Sequence, residues 1–86
     1  MREYVVRFVR SARKELESLD SHLIDRIFPR IEGLSRNPRP TSCRKLRGTR
    51  NLWRIRIGEY RIIYEIRDDA RLIDVVAVRH RKDAYR

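Results

Sequence analysis

Cysteine is nearly absent from this chain: Cys43 stands alone, so no disulfide framework can form within it. The two histidines, His22 and His80, leave too few ligands for a structural zinc quartet, and neither a metal nor a cofactor is expected. No apolar run approaches the roughly 20 residues that a membrane-spanning helix needs. Arg2, Glu3, Arg7 and Arg10 break up the region where the apolar core of a signal peptide would lie. These absences fit a reducing cytoplasm. Repeats and low-complexity segments are also missing, and 86 residues make one domain, 1–86, near the lower limit for a core without staples.

Negative charge is scarce too. Twelve acidic residues face 22 basic ones, a formal charge of +10. Such an excess argues for a polyanionic partner, either nucleic acid or an acidic protein. Nineteen of the basic residues are arginine, whose planar fork suits phosphate, although genomic GC bias explains that ratio equally well. Placement says more. Residues 1–42 carry nine basic and six acidic groups, whereas residues 43–86 carry thirteen and six, so the charge gathers in the second half.

That half contains the stretch around which the fold is read. Leu52 to Ile66 alternates with period two and is rich in β-branched and aromatic residues, the pattern of half-buried strands. Gly58-Glu59 forms its reversal. A type II′ turn there fixes the register, with Ile57 opposite Tyr60, Arg56 opposite Arg61, Ile55 opposite Ile62, Arg54 opposite Ile63 and Trp53 opposite Tyr64. One face then carries Trp53, Ile55, Ile57, Tyr60, Ile62, Tyr64 and Ile66, and the other Arg54, Arg56 and Arg61. Like charges directly opposite on a ladder are unfavourable by roughly 0.2–1 kcal/mol. An anion held between them reverses the sign; pairing with a carboxylate such as Glu65, on the same face, is the plainer alternative.

The remaining elements fit around this hairpin. Glu3 to Val9 reads as a first strand, and Ser11 as the N-cap of a helix carrying Ala12, Leu16 and Leu19. After a break at Asp20-Ser21, the stripe of Leu23, Ile24, Ile27, Phe28, Ile31 and Leu34 predicts an amphipathic helix from His22 to Ser35, with a kink or restart at Pro29. Asn37 to Pro40 is a linker, and Arg44 to Thr49 either an edge strand or a basic connection. Leu72 to Val78, apolar on both faces, predicts a central strand. The expected fold is α+β, two N-terminal helices on one face of a small twisted, mostly antiparallel sheet. The helices cover the apolar face, leaving the arginine face to solvent.

Taken together, the K-L-R-G of Lys45 to Gly48, the W-R-I-R-I of Trp53 to Ile57, the G-E-Y-R-I-I-Y of Gly58 to Tyr64 and the H-R-K-D-A-Y of His80 to Tyr85 resemble the RelE toxins of type II toxin–antitoxin systems over essentially the whole chain. The resemblance implies a ribosome-dependent endoribonuclease that cuts mRNA in the decoding site and is held inactive by a RelB-like antitoxin in a hetero-oligomer. It implies catalytic roles for Arg54, Arg56, Arg61, Arg81 and Tyr85. Arg44, Lys45, Arg47, Arg79 and Lys82 are the expected RNA-binding set. Some relatives carry lysine at the positions of Arg54 and Arg56; arginine stays protonated, with a pKa above about 12, so here the pair acts as an electrostatic clamp and not as a base.

Metal-free RNA cleavage uses the 2′-hydroxyl as nucleophile and needs a base, cations for the growing phosphoryl charge and an acid for the leaving 5′-oxygen. On the implied assignment Arg54, Arg56 and Arg61 hold the phosphate, Tyr85 takes or orients the 2′-hydroxyl proton, and Arg81 stabilises or protonates the leaving group. The second class of function is non-enzymatic: the ParE branch shares this fold and acts on DNA gyrase. A decayed member that only binds RNA or antitoxin is a third.

Overall fold

A left-handed glycine sets the sheet. In the computed structural model, which describes residues 3–82, Gly58 has φ +59 and Glu59 a negative φ, as a type II′ reversal requires. The turn joins β3 (Leu52–Ile57) to β4 (Tyr60–Arg67) in the register expected from the sequence, including Arg56 opposite Arg61. Before them come β1 (Val5–Phe8), α1 (Arg10–Glu17), α2 (Ser21–Gly33) and the two-residue β2 (Arg44–Lys45), and after them β5 (Leu72–His80). The strand order is β1-β5-β4-β3-β2, with β1 parallel to β5 and the other neighbours antiparallel. β5 is thus central, as its two apolar faces imply.

The predicted apolar face is the core. Ile55, Ile57, Ile62, Tyr64 and Ile66 join Ile73, Val75 and Val78 of β5, and onto them pack Ala12 and Leu16 of α1 with Ile27 and Ile31 of α2 and Leu34 just beyond it. Each large side chain buried there contributes about 1.5–3 kcal/mol. Tyr64 is wholly buried and its hydroxyl donates to the Pro38 carbonyl at 2.8 Å, so the linker is tied to the sheet. Burial raises the Tyr64 pKa above its ordinary value, which keeps that hydroxyl a donor. No helix among the described residues is long and apolar enough to cross a membrane.

Several local expectations change. α1 starts at Arg10 with Val9 as its N-cap, so Ser11 lies inside the first turn, and neither helix has a side-chain cap hydrogen bond. α2 runs through Pro29 as one helix; the proline lies on the exposed side, where a missing amide bond disturbs no packing. Phe28, assigned to the buried stripe, is 37% exposed and stacks on Phe8 with ring centroids 6.4 Å apart. β5 contains a bulge: Ile63 pairs with Ala77 but Tyr64 pairs with Val75, leaving Val76 extra. Strict alternation from Ile73 and Val75 would turn Arg79 under the helices. The bulge instead buries Val78 and places Arg79 opposite Arg61.

A polar tie closes the far end of the sheet. Asp68, in the β4–β5 turn, accepts from Arg39 Nη2 at 2.8 Å and from the Tyr4 hydroxyl at 2.5 Å, joining the linker and the approach to β1. Arg39, and next Tyr4, hold the Asp68 carboxyl at a pKa of about 2, below its ordinary 3.8. A depressed folded-state pKa contributes stability that is complete above the unfolded pKa and lost as pH falls through the folded one. Wild-type Tm should therefore decline between about pH 4 and pH 2 more steeply than that of Asp68→Asn, in paired thermal melts. The difference is expected to be small, because the Asp68 side chain is 55% exposed and water screens the pair.

Candidate anion site

Arginines accumulate on the sheet face turned away from the helices because the register leaves them nowhere else to go. Arg56 and Arg61 are directly opposed on β3 and β4, and Arg79 continues the row on β5. Two residues back on β3, Arg54 lies opposite Arg44 of β2. Adjacent strands lie about 4.8 Å apart and alternate residues of one strand about 6.7 Å apart, so the backbone imposes a dense lattice of guanidinium attachment points. Glu65, the carboxylate on this face, is paired with Arg67, its Oε1 3.0 Å from the Arg67 Nε. Arg56 makes no ion pair among the described residues.

At the hairpin end these side chains close on a cavity of about 180 Å³ lined by Arg56, Gly58, Glu59, Tyr60, Arg61 and Arg81. Three of the five expected catalytic residues meet here. Arg81, just past β5, is carried to the rim because its amide donates to the Glu59 carbonyl at 2.7 Å, extending the ladder one step beyond the Tyr60–His80 pair. Its Nη1 is 3.5 Å from Glu59 Oε2, both side chains being exposed. Arg54 shares the face but does not line this cavity. Tyr85 lies outside the described residues.

The expected RNA-binding set divides. Arg44 sits on the arginine face, but Lys45 is opposite Trp53 and so faces the helix side, since neighbours on a strand alternate. Arg79 shares the Arg61 row, yet its Nε is 3.2 Å from Glu15 of α1, whose other oxygen accepts from the Val78 amide at 2.9 Å. Its charge is partly spent inside the chain. Arg47 and Lys82 are exposed in turns, and the Lys82 amide donates to His80 Nδ1 at 3.2 Å. His80 belongs to the helix side, edge-on to Tyr60 at 5.3 Å, away from the arginines. Trp53 is half-buried beneath the Arg39 guanidinium, 5.0 Å from its ring centroid, and is a packing residue with Tyr64.

Sequence reading missed Glu59, the one carboxylate among the described residues that lines the cavity. The signal was present, because any residue in the reversal beside Arg56 and Arg61 must border their site. No cluster of three His, Cys, Asp or Glu side chains suited to a metal occurs among the described residues. What the arrangement offers is a small anion-sized recess walled by guanidinium forks, the geometry that recognises phosphate.

Comparison with known proteins identifies the family. A family model described as the ParE toxin of the type II toxin–antitoxin system parDE matches residues 6–85. Toxin RelG of Mycobacterium tuberculosis is 32% identical over 84 residues, covering 96% of this chain and 97% of that protein. The fold superposes on the archaeal RelE–RelB complex from Pyrococcus horikoshii with a TM-score of 0.81 at 28% identity, over 92% of this chain and 96% of that one. For the toxin–antitoxin complex RelBE2 of Mycobacterium tuberculosis the TM-score is 0.80 at 30% identity, over 91% and 98%. Matches over nearly the whole chain place it in the RelE/ParE superfamily as a RelE-like toxin of a type II toxin–antitoxin system.

Proposed function

We propose that the protein is an endoribonuclease that cuts mRNA on the ribosome, within the codon in the decoding site. The observation that carries this reading is the convergence of Arg56, Arg61 and Arg81 on one recess. A phosphodiester seated there receives guanidinium donors on its non-bridging oxygens. The 2′-oxygen attacks the adjacent phosphorus, its proton leaving to Tyr85 or to water that Tyr85 orients; the bond to the 5′-oxygen breaks and that oxygen takes a proton from Arg81 or from water, giving a 2′,3′-cyclic phosphate and a 5′-hydroxyl. Arg81 stabilises the charge on the departing oxygen. Nearby arginines favour a phenolate and so lower a tyrosine pKa from its usual value of about 10. Arg54 and Arg44 are assigned to a flanking phosphate, two residues along the same face.

The cognate antitoxin is the expected protein partner, an acidic or amphipathic segment suited to a chain of charge +10. Solved relatives crystallised as RelE–RelB complexes support that assignment. A ParE-like action on gyrase is the competing reading, favoured by the family model that matches; against it, inhibition by docking needs no phosphate-sized recess. Mapping transcript 5′ ends after brief induction in cells separates the two. Cuts at fixed positions within translated codons support the ribonuclease, and intact messages with supercoiling defects support gyrase inhibition.

A further inference from the structure

The geometry points to Glu59 as a positioning residue that holds Arg81 at the reacting phosphate, an inference that rests on the ribonuclease reading. The β4–β5 ladder ends at Tyr60 and His80, so Arg81 is exposed and past the last strand pair. A free arginine side chain has many rotamers, and fixing one of them costs entropy. Among the described residues two ties limit it, and both come from Glu59: the carbonyl that accepts the Arg81 amide at 2.7 Å and the carboxylate 3.5 Å from Nη1. Glu59 is itself firmly placed. It is the second residue of a tight reversal whose first, Gly58, lies under Arg26 of α2; a Cβ added to Gly58 would sit 3.2 Å from Arg26 Nη2. From this two-residue turn a carboxylate faces a guanidinium along the cavity rim.

A carboxylate in a phosphate site has a cost. It repels the bound anion, so its presence lowers ground-state affinity while the orientation it gives Arg81 acts on the leaving oxygen, where charge develops. Glu59 thus favours turnover over binding. An ordinary exposed ion pair, weak in water, has no such signature: its loss changes melting temperature a little and leaves catalysis alone.

The test is single-turnover cleavage of message on purified programmed ribosomes by wild type, Glu59→Gln, Arg81→Ala and the double variant, with inorganic phosphate binding measured on the free proteins. At 3.5 Å the contact depends on charge more than on a short hydrogen bond, so the isosteric amide loses it. Glu59→Gln should cut about 10- to 100-fold more slowly at saturation, the scale of a misplaced catalytic group. Its KM should be no higher than wild type, with phosphate bound more tightly. In the Arg81→Ala background the same substitution should change the rate no further. Equal rates for Glu59→Gln and wild type, or a full additional loss in the double variant, overturn the assignment of Glu59 and leave the ribonuclease reading standing. Intact message with the wild-type protein overturns the ribonuclease reading itself.

Discussion

Arg61→Ala is expected to slow message cleavage on programmed ribosomes by about 10²–10³-fold, the usual loss when one preorganised donor to a developing oxyanion is removed. The size follows from position. Arg61 lies on the central part of the arginine row, opposite Arg56 on one side and Arg79 on the other, and lines the recess with Arg81. A surface lysine that meets phosphate in passing would cost far less. Folding should survive, because Arg61 contributes nothing to the apolar cluster on the opposite face, and antitoxin-bound complex should form in normal yield. Rapid-quench cleavage kinetics alongside a thermal melt read both quantities; a variant that cuts at the wild-type rate removes Arg61 from the mechanism.

Its neighbour behaves in the opposite way. Ile62→Ala should destabilise the protein by about 2–5 kcal/mol, the range for deleting branched side chains from a packed core. Ile62 is fully buried between Ile55 and Val78. Ile63→Ala, one residue on but facing the arginine side, should cost about 1 kcal/mol, because that side chain is only half-buried. Chemical denaturation of the pair tests the register directly. A one-residue slip of the hairpin exchanges the faces of the whole strand and reverses the order of the two effects.

The hairpin was legible because local chemistry over-determines it. A glycine able to take φ +59 at the first turn position, followed by strict alternation on both sides, allows one register, and the arginine face follows. What escaped had no local signal. Val75 to Val78 is apolar on both faces, so no polar residue marks the extra Val76, and the consequence for Arg79 is invisible until β4 is paired. The two-residue β2 sends Arg44 and Lys45 to opposite sides, although as a basic run they look alike. Phe28 fits the helical stripe but lies beyond the edge of the core, where Phe8 gives it partial cover. Glu59 and Arg81 are distant in sequence and meet only through the β4–β5 ladder.

Everything functional here reduces to guanidinium groups from β3, β4 and the segment after β5 acting as one anion receptor. Arginine side-chain NMR measures this most directly, with the Nε–Hε resonances followed as a short single-stranded RNA, 2′-O-methylated at every position and so uncleavable, is titrated in. Arg56, Arg61 and Arg81 should shift together along one saturation curve that weakens with added salt, while Arg7 and Arg13, paired with Asp74 and Glu17, stay in place. Saturable shifts confined to Arg39 and the Trp53 side of the sheet, with the three recess arginines unmoved, would contradict the account.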